Sequence, residues 1–287
     1  MLKKITALLL LLILPSLACT ITVPTVRTVN TGATQTLTLA EPLPEGAAPA
    51  RLLIEMGAGR LTLAPGAKNF VDGEIRCNVD SWQPKVTRQD GRLSLLQPTS
   101  LTAQFPNNDI VNEWDLRLGG AAPFELEVNA GAYDGSLDLS GLPITRLEMS
   151  SGASSLNVSF TQPNPQVMRL LSFKTGASSI SLSGLANANF QEMTFEGGAG
   201  SYQLDFGGAL LQPANVRITG GVSSTTLRIP AETNAEVIVS GGLNNVSPSG
   251  TWTITGSTYR AEGPGPLLTI RVELGVGSLE LIRADAD

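Results

Sequence analysis

The sequence predicts an all-β protein: a right-handed parallel β-solenoid of about 22 residues per coil with hairpin-like caps. Three observations predict it. A short phrase recurs, as in SSGASSLNVSF, FKTGASSISLS and ITGGVSSTTLRI. Its glycines are Gly57, Gly131, Gly152, Gly176, Gly198, Gly221, Gly242 and Gly275, and from Gly131 to Gly242 they are spaced by 21, 24, 22, 23 and 21 residues. Five and three residues before each glycine every side chain is apolar, from Leu52 and Ile54 through Leu171 and Phe173 to Ile270 and Val272. Such alternation marks a strand with one buried face. A unit of two short strands cannot bury that face alone, so neighbouring units stack, equivalent residue on equivalent residue. An antiparallel β-sandwich is the alternative, because short strands with frequent turns suit it too.

From the N-terminus, residues 1–18 read as a lipoprotein signal peptide: Lys3 and Lys4, an apolar run from Ile5 to Leu14, then Ser16-Leu17-Ala18 before Cys19. The run is too short to span a bilayer core of about 30 Å. Ser16–Cys19 resembles a lipobox, so lipidation of Cys19 is expected, which anchors the chain to the membrane by its end. Ordinary cleavage after Ala18, giving a secreted product, is the alternative. Cys77 alternates with Ile75 and Val79 and reads as a small buried hydrophobe. A Cys19–Cys77 disulfide is open only where Cys19 stays free. Residues 19–49, rich in Thr, Pro, Ala and Gly, read as an extended tether, with a first strand around Thr36–Leu39 as the competing reading.

Residues 50–287 carry the solenoid: an N-terminal insertion and cap at 64–124, regular repeats at 125–248 and a C-terminal cap at 249–287. The residue after each glycine, such as Ala58, Ala132, Ala153, Ala177, Ala199, Val222, Leu243 or Val276, is apolar and expected to face inward. The next apolar pair falls four and six residues after the glycine, as in Leu156/Val158 and Ile180/Leu182. Parity changes between them, which places an extra residue at Ser154-Ser155, Ser178-Ser179 and Ser223-Ser224. The glycine supplies either a positive φ or a close approach of the next coil. Three copies look irregular: Gly131 needs two extra residues before Leu137/Leu139, Gly221 has Thr225 at an inward place, and Gly242 loses the pattern at Pro248. In the insertion, VDGEIRCNV and PKVTRQDGRLSLL are expected to pair, with Trp82 and Pro84 at their junction and Asp90-Gly91 as a turn. SGTWTITGSTYRAEGPGPLLTI reads as a hairpin before the last copy.

The stretches LLIEMGAGRLTLAPGAKNFVDGEIRCNV, NEWDLRLGGAAPFELEVNAGAYDGSLDLSG and GGAGSYQLDF resemble the toastrack-type domains of bacterial cell-envelope proteins. Those domains are related to the C-terminal part of LiaF-like membrane regulators and to candidate adhesin domains. The resemblance covers residues 50–283. It implies a stacked β fold, exposure outside the cytoplasmic membrane, and a role in sensing envelope stress or binding something extracellular. It supplies no catalytic or ligand residues.

Charge and chemistry narrow the function. Removing the leader takes two lysines and no acid, leaving 17 basic against 25 acidic residues and a net charge of −8. That disfavours nucleic acid as a partner. There is no histidine, which removes His-based triads, general bases and metal sites. Lys68, Lys85 and Lys174 lie in no nucleophile motif. Carboxylates that a polysaccharide-active β-helical enzyme would need are represented by Glu127, Asp138, Glu148, Glu196 and Asp205, mostly at outward strand positions. GGAGSYQLD departs from the calcium nonapeptide at Tyr202. No cofactor is expected. Outward Ser, Thr and Asn, such as Asn157, Ser181, Thr194, Thr219 and Thr226, read as a solvated sheet face or as a polar platform for a glycan. Trp82, Trp114 and Trp252 fall outside the regular coils and are the candidate ligand-binding residues. The expected function is a non-enzymatic, surface-exposed lipoprotein that binds, senses or adheres, with a cell-wall glycan or an envelope protein as partner. A carboxylate-based polysaccharide enzyme and a purely structural spacer are the alternatives.

Overall fold

A computed structural model of the chain describes residues 27–28, 30–46, 48–98, 104–105 and 109–284. The strands are β1 (Arg27–Thr28), β2 (Gln35–Glu41), β3 (Ala50–Pro65), β4 (Val71–Cys77), β5 (Lys85–Gln89), β6 (Arg92–Leu96), β7 (Gln104–Phe105), β8 (Asn112–Leu118) and β9 (Phe124–Asp138). They continue as β10 (Ile144–Ser159), β11 (Met168–Ser183), β12 (Phe190–Asp205), β13 (Ala214–Pro230), β14 (Asn234–Ser249), β15 (Thr253–Thr255), β16 (Thr258–Ala261) and β17 (Leu267–Ala284). No helix among the described residues is long and apolar enough to cross a membrane.

The parallel solenoid is what forms, not the antiparallel sandwich. Coils stack in register: Leu147 pairs with Leu126 on one side and Leu171 on the other, and Val158 with Leu137 and Leu182. Each long strand is bent at its repeat glycine into two limbs, and the ladder skips that residue, passing from Ser151/Thr175 to Ala153/Ala177. The backbones close on each other there. A Cβ on Gly176 would lie 2.5 Å from the carbonyl oxygen of Gly152, and one on Gly198 2.2 Å from that of Gly176. The same contact repeats from Gly131 on Gly57 to Gly242 on Gly275. None of these eight glycines has a positive φ, so close approach is the reason for glycine here.

This geometry corrects the position of the extra residue. Residues one before and two after the glycine face inward, whereas the glycine and its successor both face out: Ala132, Ala153, Ala177 and Ala199 are exposed, as are Val222 and Val276. The side chain of Leu243 lies outside the described set. The phase therefore changes at Gly–Ala and not at Ser–Ser, because the residue without a Cβ is the one that fits where two backbones meet. Ser154 and Ser178 turn inward and join Ser151 and Thr175 in a hydroxyl ladder, with Ser151 Oγ to Thr175 Oγ1 at 3.1 Å and Ser154 Oγ to Ser178 Oγ at 3.0 Å.

The irregular copies are also resolved. Gly131 needs no extra residues: Gly135 takes the first inward place opposite Leu156, and Leu137 the second. Its missing side chain is replaced by the Tyr133 ring, which a Cβ on Gly135 would meet at 2.7 Å. Thr225 is buried. β14 runs through Pro248, which stands opposite Leu281, and an edge strand tolerates the missing N–H.

A third side, built from the connections between strands, closes each coil. Leu139, Phe160, Leu185 and Phe206 point into the core from it. Asn164, 2% exposed, donates through Nδ2 to Ile144 O (2.7 Å) and Ala188 O (3.2 Å), while its Oδ1 accepts from Gln166 N (2.9 Å). Asn189 and Gln212 extend this amide ladder to the next coils. One hydrophobic core runs the length of the stack.

Among the eight long strands, stack order follows chain order except at the C-terminal end, where the sequence is β13–β17–β14. The last coil is inserted between two earlier ones, and the β15–β16 hairpin lies antiparallel on the outer edge of β14. At the other end the insertion divides. β6 extends the first limb beside Arg51–Glu55 and β8 the second beside Arg60–Pro65. β4 pairs with β2 and β8, while β5 and β6 form their own hairpin through Asp90 and Gly91, both at positive φ. The expected pairing of β4 with the β5–β6 segment does not occur, since both edges of β4 are taken and the 3₁₀ turn Asp80–Trp82 carries the chain away. Antiparallel strands thus cover edges that a bare stack would expose.

Candidate binding groove

The bend leaves a groove along the outside of the stack. Its floor is the repeat glycines, and its wall is the residue two positions before each: Glu55, Asn129, Ser150, Lys174 and Glu196 line a stretch of about 820 Å³. Thr219 and Glu273 continue it in a second stretch of about 460 Å³ that shares Gly197 with the first. Wall residues come from neighbouring coils and bond across them, as in Lys174 Nζ to Glu196 Oε1 at 3.3 Å. Eight stacked strands at about 4.8 Å each make such a groove roughly 34 Å long. At the N-terminal end Gln97 closes it by accepting from Gly57 N (3.1 Å).

The three tryptophans are not brought together. Trp114 is 1% exposed, and its Nε1 donates to Asn112 Oδ1 (2.9 Å). Asn112 in turn donates to Gln97 Oε1 (2.8 Å), so Trp114 braces the end of the groove from inside the core and offers no ring to a ligand. Trp82, 7% exposed, packs on Cys77 and Val79. Trp252 alone keeps an exposed face. It stands edge-on to Tyr259 at 6.5 Å, with the Arg283 guanidinium 5.9 Å from its ring centre, and ties down the C-terminal hairpin. Cys77 is a buried free thiol, as its alternation indicated. Cys19 lies outside the described residues.

The acids named above are engaged locally. Glu127 accepts from Asn129, Glu148 from Arg146, Asp138 from Ser140 and Asp205 from Gly207. No cluster of three metal-ligating side chains occurs among the described residues. Tyr202, at the place where a calcium repeat would need Asp, is a core residue, 1% exposed.

Tyr202 lies directly under the groove. Its ring occupies the space that side chains on Gly197 and Gly200 would fill and meets Phe195 edge-on at 4.9 Å. Its buried hydroxyl has no hydrogen-bond partner among the described residues. Tyr202→Phe is therefore expected to stabilise the protein by about 1 kcal/mol in urea unfolding; a loss of stability would mean that the hydroxyl is bonded. Burial pushes the Tyr133, Tyr202 and Cys77 ionisations up. These groups fold neutral, so their contribution is complete below the unfolded values, about 8.5 for the thiol and 10 for the phenols, and is lost as pH rises toward the higher folded ones. With no histidine to titrate, the melting temperature should change little between about pH 6 and 8 and fall above about pH 9.

The model of the N-terminal domain of toast_rack, DUF2154, matches residues 27–170, half of the chain. This chain belongs to the toast-rack family. Among solved structures, this toast-rack chain is similar to a candidate cell adhesion protein from Clostridium sporogenes, with 19% identity, a TM-score of 0.48, and 87% of this chain and 98% of that one covered. It is similar also to a candidate lipid binding protein from Parabacteroides distasonis, with 11% identity, a TM-score of 0.42 and coverage of 90% and 100%. A candidate adhesin from Bacteroides fragilis gives 12%, 0.39, and 87% and 96%. No curated protein sequence matches the chain.

The groove was missed in the sequence although a signal existed. All eight residues two before the glycines are polar, including Ser240; of these, Thr219 was weighed as part of a solvated face or flat polar platform and Glu196 as an isolated acid, without the column being recognised as one wall.

Proposed function

We propose that this toast-rack protein is a non-enzymatic binding module, held outside the cytoplasmic membrane by a lipidated Cys19, that takes an extended cell-wall glycan along its groove. The observation that carries the reading is the continuity of the groove across the coils. A polar wall with one hydrogen-bonding side chain per coil places polar groups at a fixed step, which suits an extended polymer better than a compact cofactor. The leader, the acidic balance and the absence of histidine from the sequence support the placement and the lack of catalysis. Retention on insoluble cell-wall polysaccharide tests it. Asn129→Trp and Ser150→Trp fill the groove from outward positions, and each should weaken retention by about tenfold, or 1.4 kcal/mol, without lowering the melting temperature. Retention unchanged in both variants, or turnover of the glycan, would contradict the reading.

A further inference from the structure

A second cleft, of about 340 Å³, opens on the outer face of the first limb, away from the glycines, and is lined by Arg51, Arg92, Arg146, Arg169, Glu125, Glu127 and Glu148. Register sets four of them in one row, Arg92–Arg51–Glu125–Arg146, on adjoining strands. Strands lie about 4.8 Å apart, so Arg92 and Arg51 are like charges side by side, an arrangement that costs stability unless an anion joins them. The carboxylates nearby are already engaged. Glu125 binds Arg51 (3.2 Å) and Arg169 (3.2 Å), Glu148 binds Arg146 (2.5 Å), and Glu127 accepts from Asn129 (2.9 Å). Arg92, half-buried, has no ion pair among the described residues. Four guanidiniums thus face three carboxylates, with the excess at the Arg92 end, in a chain whose net charge is negative.

We propose that this cleft binds a compact oxyanion of the phosphate type, clasped between Arg51 and Arg92. Guanidinium forks match the oxygens of phosphate, and one tetrahedral anion spans two of them on adjacent rungs. Glu127 and Glu148 stand two residues farther along their strands and confine the anion to the Arg92 end. The same group can arrive as free phosphate or as the phosphodiester of an envelope polymer.

The test is calorimetric titration of the full chain with inorganic phosphate and, separately, with a short glycerol-phosphate oligomer, at low and high salt. Saturable, salt-weakened binding is expected. Arg51→Gln and Arg92→Gln should each weaken it about tenfold or more, while Arg217→Gln, on the same face three coils from Arg146, should leave it unchanged. Tighter binding of the oligomer assigns the polymer as the source; tighter binding of phosphate assigns the free ion. Melting curves without ligand check that the variants fold, and Arg92→Gln should not lower stability, since it relieves the repulsion with Arg51. Absence of saturable binding, or equal weakening by Arg217→Gln, overturns the proposal.

Discussion

Gly198→Val is expected to cost more than about 3 kcal/mol, while Ala199→Val, one residue on, changes stability by no more than about 0.5 kcal/mol. The difference follows from the bend. A Cβ on Gly198 would sit 2.2 Å from the carbonyl oxygen of Gly176 and 3.1 Å from its carbon. Both neighbours are backbone, and backbone in the middle of a stack cannot withdraw without breaking register on both sides. Ala199 faces solvent, and valine already occupies the equivalent place at Val222 and Val276. Urea unfolding of the two variants reads the contrast directly. Equal effects would mean that the extra residue lies elsewhere in the phrase.

Asn164→Leu is expected to cost about 3 kcal/mol. Leucine keeps the volume but strands the carbonyls of Ile144 and Ala188 and the N–H of Gln166, all of which Asn164 satisfies from a buried position. For a chain of this size that corresponds to a fall in melting temperature on the order of 6–10 °C. Asn157→Ala, on the exposed second limb, should shift it by no more than about 2 °C. A small effect at Asn164 would mean that the third side contributes little to holding the coils together.

What the sequence disclosed and what it concealed divide along physical lines. The inward pairs five and three before and four and six after each glycine were legible because large apolar side chains commit to one side of a strand. The bend was not, because glycine, alanine and serine are small enough to lie on either face, and periodicity alone cannot choose among them. Phe160 and Phe206 stand eight residues after their glycines, as Leu139 and Ile229 do, so a spacing for them was present and went unused, whereas Leu185 and Asn164 were hidden because they lie in connections of unequal length. The insertion of β17 left one trace, the longer step from Gly242 to Gly275, which was read as a cap because a hairpin accounts for the added length equally well. Among candidate site residues, tryptophans outside the repeat suggested a ligand surface. The structure gives Trp82 and Trp114 ordinary core burial, and the groove draws instead on small polar residues whose role depends on their alignment across coils.

That alignment, with the final coil inside the stack, is the central claim, and disulfide trapping tests it most directly. Ser278 stands beside Ser224 on one side, with their hydroxyls 3.2 Å apart, and beside Asn245 on the other. Ser224 and Asn245 are therefore two strands apart, about 9.6 Å, beyond the roughly 7 Å that a disulfide can bridge. On mild oxidation, Ser224→Cys/Ser278→Cys and Ser278→Cys/Asn245→Cys should crosslink, and Ser224→Cys/Asn245→Cys should not. Crosslinking of Ser224→Cys with Asn245→Cys, and none with Ser278→Cys, would contradict the account.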